Sequence, residues 1–191
     1  MKRIIAAALA AVLVATSAPA VGNAATVEVT ALDANISVQQ ADQDKFDKGE
    51  VVVVKDEASG TEESVKAEGN SVTVTAVKSS AKTVKIAGTV NGKPVTKISS
   101  KAFKNCKKAK TIDLSDVELT QLQKKQFSGA KKAKKVKINA KKLKANKISS
   151  KALKGFKGKK IILKGVSKKQ FNKLVKKLQK SAPKGVVFKR G

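Results

Sequence analysis

The chain has 191 residues, 42 of them Lys or Arg against 14 Asp or Glu, for a formal net charge of +28. It has no His, Trp or Tyr and a single Cys, Cys106, which excludes Ser-His and Cys-His nucleophile systems, His-containing metal sites, intramolecular disulfides and multi-Cys zinc or iron–sulfur centres. With 41% hydrophobic residues but only 3% aromatic, any core is built from Val, Ile, Leu and Ala, which suits thin repetitive β structure.

The first element is an export signal. Met1-Lys2-Arg3 is a short positive start, Ile4 to Ala18 is apolar and uncharged, and Pro19 leads into small residues through Ala25. This is the order of a secretory signal peptide. Ala18-Pro19-Ala20 fits a cleavage site, as does the stretch ending at Ala24 or Ala25. As a helix, the 15 apolar residues reach only about 22 Å, short of a hydrocarbon core of about 30 Å. The expected location is therefore secreted or extracellular, with wall association as a further option.

Residues 26–69 form an acidic segment, eleven acids against four bases. Val27–Val29 and Val51–Val54 are expected strands, and Ala58–Gly69 reads as a loop. Asp42, Asp44 and Asp47 lie close together but lack the Gly and closing Glu of an EF-hand loop, so no metal site is assigned. The segment is expected to be partly β or disordered. From Asn70 to Gly191 the balance reverses to 36 bases against Asp113, Asp116 and Glu118, and no acid follows Glu118.

Within 70–97, Asn91-Gly92 signals a hairpin between Ala87–Val90 and Lys93–Thr96, expected to pair with the first repeat and cover its edge. Residues 98–166 then repeat. The unit from Ile98 to Leu114 is matched from Leu122 to Ile138, with Phe127 at the place of Phe103, Ala130 of Cys106, Ala133 of Ala109, Val136 of Ile112 and Ile138 of Leu114. A third copy opens at Ile148-Ser149-Ser150-Lys151-Ala152-Leu153. The offsets are 24 residues from Phe103 to Phe127 and 26 from Phe127 to Leu153, after which the third unit slips by one and places Ile161 and Leu163 in the strand positions. Period-two alternation puts Ile112 and Leu114 on one face, and only stacked copies can bury that face. The expected fold is a β-rich α+β solenoid, right-handed and of about three leucine-rich repeats, with an N-terminal β cap and a C-terminal amphipathic helix cap.

The run KISSKAFKNCKKAKTIDL, with Phe103, Asn105 and Cys106, resembles the BspA-type leucine-rich repeats of bacterial secreted and surface proteins. Ala109 and Ala133 stand where that pattern has Leu. The resemblance spans Asn70–Gly191, takes Ser71–Val77, Thr83–Ile86 and Gly88–Ile98 as the strand-rich entry before the first repeat, and implies a non-enzymatic module for adhesion, with a protein or glycan partner at the cell surface.

Residues 167–191 close the chain. Ser167 is a candidate N-cap, Phe171, Leu174, Val175 and Leu178 share one helical face, Pro183 and Gly185 stop the helix, and Val186–Phe188 supplies a last strand. A membrane-surface helix is the alternative reading of this basic segment, opposed by its four apolar residues and lack of Trp.

No cofactor and no catalytic residue is assigned. Ser99-Ser100-Lys101 and Ser149-Ser150-Lys151 could form Ser–Lys dyads, but their equivalence in two repeats points to a structural role. Function therefore falls to the lysine-rich surface. Outward positions on the strands include Lys135, Lys137, Lys160 and Lys164, the candidate polyanion-binding residues. The turns add Lys104, Lys107, Lys108, Lys131, Lys132, Lys154 and Lys157. Only Arg3 and Arg190 are Arg, and with no Tyr or Trp this argues against sequence-reading contact with nucleic acid. A nucleic-acid-binding protein and a membrane-active cationic protein remain the rival readings, with peripheral contact to anionic membranes an option under each.

Overall fold

The computed structural model describes residues 35–191. The export signal and the strand expected at Val27–Val29 lie outside the described residues.

Two sheets form. The first takes β1 (Asn35–Ile36), β2 (Val51–Asp56), β3 (Thr61–Glu68), β4 (Ser71–Lys78), β6 (Thr89–Val90) and β7 (Lys93–Ile98) in the order β1-β6-β7-β4-β3-β2. β2, β3 and β4 are an antiparallel meander, whereas β4 and β7 run parallel. The short helix α1 (Gln43–Asp47) buries Phe46, over whose ring the Lys93 ammonium sits at 5.3 Å. Val52 and Val54 point inward from β2, leaving Val51 and Val53 exposed.

The loop expected at Ala58–Gly69 is instead largely strand. β3 buries Thr61, Glu63, Val65 and Ala67 and turns Glu62, Ser64, Lys66 and Glu68 outward. The period of two is intact, but two of its four inward positions are polar, which hides the pattern from a hydropathy reading.

The second sheet is entirely parallel, in the order β5 (Thr83–Lys85), β8 (Thr111–Leu114), β9 (Lys135–Asn139), β10 (Lys160–Lys164) and β11 (Val187–Arg190). Its register carries one apolar row across all five strands, Val84, Ile112, Val136, Ile161 and Phe188. The first four of these have no exposed surface. Leu114, Ile138 and Leu163 form a second buried row. Burial of one such side chain contributes roughly 1.5–3 kcal/mol.

The expected slip is real: Ile161 and Leu163 pair with Val136 and Ile138. The hairpin at Asn91-Gly92 also forms, both residues taking positive φ (48° and 71°) as a type I′ turn requires. Its second strand runs into the first repeat at Ile98 and accepts the Glu118 and Thr120 amides on the Val95 and Thr96 carbonyls at 3.1 and 3.0 Å, but it does not extend the sheet of the repeat strands. The hairpin belongs to the first sheet, and the strand beside β8 is β5. Thr83–Lys85 is thus the part of the expected strand-rich entry that meets the repeats, although its single inward apolar residue gives no periodicity of its own.

On the opposite side from the second sheet the chain returns through turns that also stack. The Phe103 and Phe127 rings lie 6.1 Å apart, and Phe127 and Phe156 likewise. The Lys125 amide donates to the Lys151 carbonyl at 2.9 Å and the Gln126 amide to that of Ala152 at 2.9 Å. Buried Gln126 donates its side-chain amide to the Ile98 carbonyl at 2.9 Å, and the Ser100 hydroxyl donates to the Lys124 carbonyl. The Ser149 hydroxyl accepts from the Lys151 amide at 3.2 Å, so both Ser-Ser-Lys runs serve backbone geometry.

α2 (Lys168–Gln179) begins at Ser167, whose hydroxyl accepts from the Gln170 amide at 3.2 Å. It buries Leu174 and Leu178, half-buries Phe171 and Val175, and anchors Gln170 on the Ala140 carbonyl at 3.1 Å. Its outer faces are lysine.

Candidate functional site

Three carboxylates lie in the basic part of the chain, and each is held by a lysine. Lys137 Nζ donates to Asp113 Oδ2 at 2.7 Å, Lys85 Nζ approaches Asp116 Oδ2 at 2.8 Å, and Lys142 Nζ donates to Glu118 Oε2. Asp113 is nearly buried and also accepts from the Ser115 amide at 3.1 Å. Burial pushes its carboxyl up, but the bonds from Lys137 and Ser115 outweigh it and hold the group below the ordinary carboxylate range.

This pairing divides the four expected contact residues. Lys135 and Lys160 are direct neighbours in register on the outer sheet face. Lys164 lies opposite Asn139, exposed at the end of β10. Lys137 is committed to Asp113 and stands beside the half-exposed Ile162. The outer face is therefore a mixed surface: Thr111, Lys135, Lys160 and Val187 in one row, Lys85, Asp113, Lys137, Ile162 and Lys189 in the next.

The turn side is more uniformly cationic. Lys101, Lys104, Lys107, Lys131 and Lys132 surround a cleft of about 560 Å³ together with Ser128 and Gly129. None of these lysines has a carboxylate within 4 Å among the described residues. Gly129 allows the two turns to close on each other: a Cβ there would come within 2.6 Å of the Lys104 amide nitrogen. Lys101 holds a left-handed backbone (φ 63°, ψ 15°), which a side chain adopts at a cost. A second cleft of about 530 Å³ adjoins, lined by Gly60, Glu62, Lys78, Ser79, Ser80, Asn105, Lys107 and Lys108. Lys107 belongs to both.

Four of the five lysines around the first cleft were expected on the turns; Lys101 was not, having been read with the Ser-Ser-Lys run. That the body's three carboxylates would be paired among so many lysines was expected; which lysines take them was not. Asp113–Lys137 and Glu118–Lys142 are both separated by 24 residues, the repeat period itself, and that spacing is the signal that finds them.

Cys106 is fully buried, its thiol donating toward the Val77 carbonyl at 3.5 Å, and burial pushes its pKa up to about 11. It behaves as a small apolar residue and not as a nucleophile. Asp42 and Asp47 of the acidic segment are engaged by Lys45 at 2.9 Å and Lys93 at 3.5 Å. Among the described residues no helix is long and apolar enough to cross a membrane.

Parallel strands in register, a stacked aromatic column and a surface of unpaired lysines define a repeat protein whose working parts lie on its exterior. Residues 77–177, just over half of the chain, match the model of the BspA type leucine rich repeat region in six copies, and the chain belongs to that family. Leucine-rich repeats of this type are typically extracellular or surface-associated, non-enzymatic, and generally serve protein interaction. No curated protein and no solved structure matches the chain.

Proposed function

We propose that the protein is an exported, non-enzymatic repeat module that attaches to polyanions or acidic glycans at the cell surface through its lysines. On this reading residues 1–25 are the signal, 98–166 are stacked coils of a short solenoid, and the flanking segments 70–97 and 167–191 close its two ends. The acidic segment 26–69 adjoins the basic body. The observation that carries the functional part is the pairing pattern: Asp113, Asp116 and Glu118 are each taken up by one lysine, and Lys78, Lys93 and Lys97 by carboxylates of the acidic segment, which leaves the remaining ammonium groups of the body without a carboxylate within 4 Å among the described residues. Such an excess of one sign attracts a multivalent counter-ion.

Lys supplies point charges where Arg would supply a planar fork, which suits a flexible anionic polymer better than a fixed base edge. The experiment is retention on dextran sulfate with rising sodium chloride. The logarithm of affinity should fall linearly with the logarithm of salt, as release of several counter-ions requires. A flat response, or no retention at low salt, overturns the proposal. Duplex DNA of similar charge density gives the comparison for the rival reading; markedly tighter binding to DNA would favour it.

A further inference from the structure

We infer that the turn side, and not the outer sheet face, seats the polymer, and that the polymer is a linear anionic polysaccharide laid across successive turns. This rests on the polyanion reading and adds a place, an orientation and a ligand class.

The place follows from the two clefts. They share Lys107 as a wall, so that clefts of about 560 Å³ and about 530 Å³ lie side by side on the turn side and offer a long ligand one track. A small anion would need only one of them. Along the first cleft every charged wall residue is a lysine without a carboxylate partner among the described residues. The sheet face, by contrast, spends Lys137 on Asp113 and interrupts its lysines with Ile162 and Val187. The second cleft is bordered by Gly60 and Glu62 of the acidic segment, and Glu62, the one carboxylate in its lining, is bonded by Lys78 at 3.0 Å. The track thus has a cationic run and an acidic border.

The ligand class follows from what the walls are made of. The surface inside the first cleft is mostly apolar although five of its seven lining residues are lysines, so it is the lysine stems that supply much of the wall while their ammonium groups keep to water. Such walls suit a sugar ring, whose C–H faces pack on methylenes while its carboxylate or sulfate groups reach the ammonium groups. Nucleobases would find no stacking platform, because the aromatic residues of the turns, Phe103, Phe127 and Phe156, are all buried beneath. Those rings stack with centroids 6.1 Å apart beneath the turns, so the lysines of successive turns recur at short, regular intervals that a polymer charged along its length can follow.

The test uses sulfated and carboxylated oligosaccharides of increasing length against three proteins: the parent, the triple variant K104Q/K107Q/K131Q, and the triple variant K135Q/K160Q/K164Q. Lys104, Lys107, Lys131 and Lys164 are exposed and Lys135 and Lys160 half-buried, and the unfolding midpoint of each variant, compared with the parent, checks that folding is retained. Affinity for the parent should climb with oligosaccharide length until the track is filled. The first variant should lose at least about tenfold in affinity and two to three of the counter-ions in the salt slope, the second much less. Loss confined to the second variant would overturn the placement while leaving polyanion binding intact. Absence of binding by the parent at low salt would remove both. Single-stranded DNA held as tightly as the saccharides, with the same dependence on the first triple, would overturn the saccharide assignment alone.

Discussion

The ring of Phe156 fills the space left open by Gly158. A Cβ at residue 158 would overlap Phe156 Cζ and come within 2.7 Å of the Ala133 carbonyl oxygen. The arrangement compensates for a substitution in the repeat. The first two units carry Phe103 with Cys106 and Phe127 with Ala130; the third carries Leu153 with Phe156, large and small exchanged. Gly158 replaces the Ala109 and Ala133 of the earlier units and admits the displaced ring, which completes the aromatic column at 6.1 Å from Phe127.

It follows that G158A should destabilise by roughly 1–3 kcal/mol through overpacking, and F156A by roughly 3–5 kcal/mol through loss of a buried ring. The double variant should cost less than the sum, because removal of the ring makes room for the new methyl. Denaturant unfolding of the four proteins measures the cycle; strict additivity would show that the two residues do not share the space.

Much of this was open to reading, for a physical reason. Stacked coils impose one register, so the 24-residue period that aligns Ile112 with Val136 also predicts their pairing, and Ser167 announces its helix by local chemistry alone. What escaped was decided by tertiary context. Thr61 and Glu63 hold inward positions of β3 and disguise a strand as a loop. β5 was expected among the entry strands, but its place at the edge of β8, which the hairpin was expected to fill, was not. The first cleft depends on how closely the turns at Gly129 and Lys104 approach, a distance that no periodicity encodes.

Glu63 gives the fold a dependence on pH. The side chain is fully buried between Val54 and Val77 in register, its Oε1 accepts from the Ala87 amide at 3.1 Å, and its Oε2 has no partner. Burial pushes its pKa up to about 8, from 4.5 for the free side chain. The folded value lies above the unfolded one, so the contribution to stability is complete below pH 4.5 and is lost as pH rises toward 8. At pH 7 the loss amounts to roughly 3 kcal/mol. E63Q, neutral throughout, should be more stable than the parent at pH 7 and above, and the difference should vanish near pH 4. Unfolding free energies across this range give the answer; parallel curves for the two proteins would refute the assignment.

Lys101 allows strain and charge to be separated. Replacement by Gly removes the ammonium group and relieves the left-handed backbone, whereas replacement by Ala removes the same charge and keeps the strain. K101G should therefore exceed K101A in stability by about 1 kcal/mol. The two should weaken polysaccharide binding alike. Unfolding and binding isotherms on the same pair settle both points, and an Ala variant as stable as the Gly variant would mean that residue 101 carries no strain.

Asp113 and Lys137 supply a test of the sheet face. D113N keeps an oxygen for the Ser115 amide but gives up the charge that Lys137 meets at 2.7 Å. The folded pKa of Asp113 is depressed, so its stabilising contribution is present above the unfolded value of 3.8 and is lost as pH falls through the folded one. D113N should thus cost about 1 kcal/mol at pH 7, allowing for a pair only partly shielded from solvent, and the difference from the parent should close in acid. The same substitution releases the Lys137 ammonium onto the outer sheet face. If the polymer lies along the turns, on the opposite side and well beyond a screening length of about 8 Å, its affinity should change by no more than about twofold. A large gain in affinity for D113N, abolished in D113N/K137Q, would place the polymer on the sheet instead.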